Sequence, residues 1–146
     1  MLKNKILASV AAICLFLIFT MAVIIERDNV SEADFPLEID LVNTVFNVGD
    51  KISFNATITN KSYKVVNIIT NGWQPSVVFR DINDMSNYTE TTVAVHQILT
   101  ANSKISRAFD WEVVEPGTYV LRVRYNMTVN NNELYGDLGD IIIEVK

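Results

Sequence analysis

One cysteine, one histidine, three prolines and five glycines are all that a chain of 146 residues holds of these four types, and each scarcity excludes something. The cysteine, Cys14, lies in the most apolar part of the sequence, so the remainder is expected to fold without disulfides and to carry no thiol chemistry. Nucleophilic hydrolysis needs a base and a group that orients the base. His96, the sole histidine, sits in TTVAVHQIL, where the spacing gives it a strand face shared with Ala94 and Ile98. No enzyme is expected, and no cofactor. Basic residues are short as well: with Lys3 and Lys5 set aside, ten remain against 17 acidic ones, a net charge of −7. Such a surface repels a phosphate backbone, which argues against a nucleic acid partner.

What the chain does have is an apolar run that begins at Ile6 and ends with Ile25, ILASVAAICLFLIFTMAVII, 20 residues without a charge, proline or glycine. As a helix rising about 1.5 Å per residue it would reach about 30 Å, the thickness of a bilayer core. Lys3 and Lys5 precede it and Glu26-Arg27-Asp28 follow, so residues 1–5 should stay in the cytoplasm and everything after the run should lie outside. The expectation is a single-pass anchor in the cell membrane with an extracytoplasmic C-terminal domain. The alternative is a signal peptide cleaved near Thr20-Met21-Ala22, which would release a secreted domain. Ile13, directly before Cys14, is too large for a lipoprotein signal.

Residues 26–36, ERDNVSEADFP, are polar and without period, and read as a linker; residues 37–146 read as one domain. Its period is two. In KISFNATITN, Ile52, Phe54, Ala56 and Ile58 alternate with polar residues, and after Pro116-Gly117 the residues Tyr119, Leu121, Val123 and Tyr125 repeat the pattern. Further strands are expected from Leu37, Val65, Ser76, Thr91, Ser103 and Asp140. Turn signals fall at Val48-Gly49-Asp50, Asn60-Lys61-Ser62, Asn71-Gly72, residues 83–87, residues 100–102 and residues 129–139. Short strands at this spacing, with no amphipathic helix, predict an all-β fold: an immunoglobulin-like antiparallel sandwich with Greek-key connections, preceded by one transmembrane helix. A partly closed barrel is the competing arrangement.

Five Asn-x-Ser/Thr sequons, at Asn29, Asn55, Asn60, Asn87 and Asn126, are candidate glycosylation sites in an exported domain, or the product of an asparagine-rich composition. Asp81, Asn83 and Asp84 form one oxygen-rich cluster, and Asn130 to Asn132 with Glu133, Asp137 and Asp140 form another. Neither has calcium-loop spacing, and both read as solvated loops, so no metal site is expected. Trp73, in TNGWQPSV, is an aromatic in a turn region, a candidate partner contact or a plug at one end of the fold. Trp111 closes the alternation Ile105, Arg107, Phe109, Trp111 and reads as core.

Gly49, Asp50, Ile52, Phe54, Ile58, Asn60 and Ser62, followed by Trp111, Pro116, Gly117, Tyr119 and Leu121, reproduce the entry strand and the late corner of a known family. Over residues 46–123 the chain resembles the intracellular proteinase inhibitor (BsuPI-type) domain. The resemblance implies an immunoglobulin-like sandwich and, for an exported copy, an extracytoplasmic proteinase as target. The function expected is therefore a non-enzymatic, membrane-anchored module that binds an envelope protein, a proteinase or a glycan. A pilin-like surface subunit assembling through its N-terminal helix is the alternative, although residues 6–25 lack the glutamate usual in such helices.

Overall fold

The protein is seen in a computed structural model that describes Ile13, residues 30–83 and residues 93–146. The smaller of two facing sheets orders β1 (Leu37–Ile39), β3 (Lys51–Thr59) and β7 (Lys104–Glu112). The larger orders β2 (Val45–Phe46), β9 (Asn132–Val145), β8 (Gly117–Val129), β4 (Val66–Asn71) and β6 (Ala94–Leu99), with β5 (Ser76–Asp81) also paired to β8. Every pairing is antiparallel except that of β2 with β9. The fold is an all-β sandwich.

The alternation explains the layering. Ile52, Phe54, Ala56 and Ile58 of β3 are buried while Lys51, Ser53 and Asn55 are exposed, because successive side chains on a strand point to opposite faces. Leu121, Val123, Tyr125, Met127 and Val129 of β8 supply the opposing layer. The core divides into a cluster around Phe35, Ile58, Ile68 and Tyr125 and another around Ile52, Phe54, Leu121 and Ile143.

Strands β7 and β8, expected on either side of the Pro116-Gly117 corner, lie in different sheets: β7 ladders with β3, and β8 with β9. The corner therefore carries the chain across the sandwich. The Tyr119 hydroxyl donates to the Glu115 carbonyl at 3.0 Å and ties the start of β8 back to it, the geometry of a tyrosine corner.

Three boundaries differ from expectation. The folded domain reaches back beyond Leu37: Val30 and Phe35 enter the core, and Phe35 is fully buried. A 3-10 turn, Glu32–Asp34, positions it, with Asp34 accepting hydrogen bonds from the Ser31 N–H (2.8 Å) and hydroxyl (3.0 Å). Burying one phenylalanine stabilises by about 1.5–3 kcal/mol, enough to draw in a short polar stretch around it. Second, most of residues 129–139 is strand. Asn130 (φ 48°) and Asn131 (φ 69°) alone make the turn, since asparagine tolerates the left-handed conformation that a two-residue hairpin requires. Gly136 is flat strand, and Gly139 (φ 75°) lies close to a register shift between Arg122 and Arg124. Third, Val45–Phe46 forms β2, too short to show a period.

The expected anchor, residues 6–25, lies outside the described residues but for Ile13. Among the described residues no helix is long and apolar enough to cross a membrane.

Candidate binding surface

Strands β4 and β5 lie end to end along one edge of β8: Ile68 to Thr70 pair with Met127 to Val129, and Ser76 to Asp81 with Tyr119 to Arg124. Between them the chain must leave the ladder and return. Gly72 (φ 80°) allows the departure, and the Gln74–Pro75 peptide is cis. The excursion is held by Thr70 Oγ1 donating to the Gly72 carbonyl (2.8 Å), Gln74 Nε2 donating to the Asn71 carbonyl (3.2 Å) and Arg107 Nη1 donating to the Trp73 carbonyl (3.1 Å). Gln74 faces inward, buried and with no partner for its Oε1. Trp73 faces outward and is 67% exposed. A side chain of that size gains most from burial, so its exposure on a braced loop makes Trp73 the candidate contact residue.

The loop overhangs one flank of the sandwich, where, among the described residues, the two sheets end in β5, β6 and β7. One hollow of about 510 Å³ lies between Trp73, Gln74, Gln97, Leu99 and the first residues of β7. A second, of about 430 Å³, lies between Val77 to Phe79 and residues Arg107 to Trp111. Arg107 lines both. Its guanidinium carbon is 4.9 Å from the centre of the Phe109 ring, a favourable cation–π distance. Beneath it runs an aromatic stack: Phe79 to Trp111 at 5.2 Å, Phe79 to Tyr119 at 5.0 Å, Phe54 to Phe109 at 5.4 Å and Phe109 to Trp111 at 5.8 Å between ring centres. Trp111, expected in the core, is thus half-buried at the core's open margin.

The other expected site residues are scattered. His96 is exposed on the outer face of β6 beside Ala94 and Ile98. Asn55 and Asn126 are exposed in mid-strand, and the Asn55 amide donates to Asp40 Oδ2 at 2.8 Å. The hydrogen bonds from Asn55, its side-chain amide first and its backbone N–H next, hold the Asp40 carboxyl below its usual range. Asn60 is fully buried. Its Nδ2 donates to the carbonyls of Lys64 (2.8 Å) and Thr100 (3.0 Å), and its Oδ1 accepts from the Ser62 hydroxyl (2.6 Å). Both polar members of this sequon are spent inside the fold, so Asn60 is closed to modification in the folded domain. Asn29 and Asn87 lie outside the described residues.

The described members of the two oxygen-rich clusters are engaged with their neighbours. Asp81 Oδ1 accepts from the Asn83 N–H at 2.7 Å, while Asp84 lies outside the described residues. Asp137 accepts from the Tyr135 hydroxyl and the Gly139 N–H, both at 2.7 Å. Arg122 Nε approaches Asp140 Oδ1 at 3.1 Å and Asp137 Oδ2 at 3.4 Å, close enough for ion pairing without the alignment of a hydrogen bond. Burial pushes the Asp137 carboxyl up, but the bonds from Tyr135 and Gly139, with the charges of Arg122 and Arg124, outweigh it and hold the group below its usual range. Among the described residues no three His, Cys, Asp or Glu side chains gather as metal ligands would.

No family model and no curated protein matches the chain. Solved structures resemble it in part. A β-glucosidase from Listeria innocua in complex with glucose is 17% identical over 76% of this chain, at a TM-score of 0.45, and the chain spans only 16% of that enzyme's length. The CARDB domain of a Pyrococcus furiosus protein, solved with two metal ions, is 15% identical over 77% of this chain and 92% of its own, at a TM-score of 0.40.

Proposed function

We propose that this chain is an exported, membrane-anchored module without catalytic activity, which binds a protein partner through the open flank of an immunoglobulin-like sandwich. The observation that carries the reading is Trp73: a large aromatic, two-thirds exposed, on a loop fixed by three hydrogen bonds and set over a hollow lined by Arg107. Exposed tryptophan and arginine in and beside a concave surface are the residues that most often dominate binding energy at protein interfaces. The apolar run of residues 6–25 with its basic N-terminal flank supports the location. The strand order of the two sheets and the Tyr119 corner support the immunoglobulin-like assignment. Inhibition of an extracytoplasmic proteinase is the version of this function that the BsuPI-type resemblance favours.

The test is capture from a native envelope extract by the full chain in detergent micelles, comparing wild type with Trp73→Ala. A specific protein retained by the wild type and lost by the variant, with the thermal unfolding midpoint unchanged, supports the reading. Equal retention by both would remove the flank as the binding surface.

A further inference from the structure

Strand β7 pairs with β3 through nine consecutive residues without a register shift, and among the described residues no strand pairs with its other edge. A straight open edge of that length is a template for another strand, and proteins that must avoid this usually shorten, bulge or interrupt it with proline. β7 shows none of these. Resting on the reading that the flank is the binding surface, we propose that its partner is a second copy of this chain. The two pair edge to edge through antiparallel β7 strands, with the two-fold axis at Ala108.

The warrant is the self-complementarity of the strand. Read antiparallel against itself about Ala108, Lys104 stands opposite Glu112 and Ser106 opposite Asp110 on the outer face, where all four are exposed. The small Ala108 stands opposite itself. On the inner face Ile105 meets Trp111, and Arg107 meets Phe109, the ring type that its guanidinium already covers within one chain. Directly opposed residues on antiparallel strands are nearest neighbours, and opposite charges there are favourable. Neighbouring registers lack this match. Centring on Arg107 keeps one opposite-charge pair, Lys104 with Asp110, but sets guanidinium against guanidinium and leaves Glu112 without a charged partner. Centring on Asp110 sets carboxylate against carboxylate, and centring on Phe109 leaves Lys104 and Glu112 without charged partners. The pairing would join two three-stranded sheets into one of six and bring the aromatic margins of both flanks together.

The rival reading of the same residues is that Lys104 and the inward-facing Arg107 guard the edge against pairing. The two readings predict opposite signs. Self-association of the full chain in detergent micelles, read by energy transfer between labelled copies, should weaken about tenfold for Lys104→Glu alone and for Glu112→Lys alone, since each sets like charges opposite at both ends of the pair. Mixing the two variants should restore wild-type affinity. Ala108→Cys, with Cys14 replaced by alanine, should form an intermolecular disulfide under mild oxidation, because directly opposed strand residues lie within disulfide reach. Ser53→Cys, one strand further in, should not. Tighter association of Lys104→Ala, or association indifferent to all of these changes, would overturn the proposal. In that event Trp73→Ala still decides whether the flank binds some other protein.

Discussion

The side-chain amide of Asn60, in the turn after β3, donates to the carbonyl of Thr100, in the turn before β7, at 3.0 Å. One buried asparagine thereby fastens two turns that are 40 residues apart in sequence. Backbone bonds reinforce the junction: the Asn60 N–H donates to Ser103 at 2.9 Å and the Asn102 N–H to Asn60 at 2.8 Å.

Replacing Asn60 by alanine leaves the Lys64 and Thr100 carbonyls without their donor in a part-buried site. The expected loss is about 3 kcal/mol, read from denaturant unfolding. In native material, peptide mapping should find residue 60 unmodified, whether or not Asn55 and Asn126 carry glycans.

At Gly136 a Cβ atom would meet Cε1 of Tyr125 at 2.2 Å. Tyr125 is buried, and its ring would have to shift to admit the methyl group, so Gly136→Ala should destabilise by about 2–3 kcal/mol. Gly49 offers the contrast. Nothing lies within 4 Å of its Cβ position, and only its φ of 91° opposes a side chain, so Gly49→Ala should cost about 1–2 kcal/mol.

Burial, with a smaller contribution from Glu32, pushes the Tyr125 hydroxyl up to about 12. The unfolded chain ionises this group near the ordinary value of 10. Stability is therefore undiminished by this group below about pH 10 and falls as the pH rises towards 12, by about 2–3 kcal/mol in all. Tyr125→Phe should abolish that part of the alkaline loss, which parallel urea titrations at pH 8 and pH 11 would measure.

Asp137 and Asp140 are already engaged with Arg122, and Asp137 with Tyr135 and Gly139 as well. Millimolar calcium should leave the thermal unfolding midpoint of the domain unchanged, and so should a chelator. A rise of several degrees with calcium would reveal a site that these pairings do not suggest.

Much of this architecture is legible in the residues. Alternation marks β3 and the first part of β8 because a sandwich strand buries one face and wets the other. Val30 and Phe35 escape such a reading, since two apolar residues five apart in a polar stretch show no period. Gly136 reads as a breaker, although its missing side chain makes room for Tyr125 within a continuous strand. Trp73 stands out in sequence as a loop aromatic. Arg107 does not: it interrupts the apolar alternation of β7, and only the fold reveals that this position opens onto the flank. That β7 has no partner strand on its second edge among the described residues is equally invisible, because a strand's sequence does not say on how many sides it is paired.

The parallel pairing of β2 with β9 bears on how the domain meets mechanical force. The Glu144 N–H donates to Thr44 at 2.8 Å, the Lys146 N–H to Phe46 at 2.9 Å, and the Val48 N–H to Lys146 at 3.0 Å. Parallel strands pulled from opposite ends slide along one another, so tension applied between Asn43 and Lys146 strains all three bonds at once. The antiparallel β8–β9 hairpin, drawn apart at its open end between Gly117 and Val145, yields one pair at a time. Traction along the first direction should meet a shear clamp, and traction along the second a zipper, a contrast that single-molecule pulling from the two attachment pairs would display as a higher rupture force for the first.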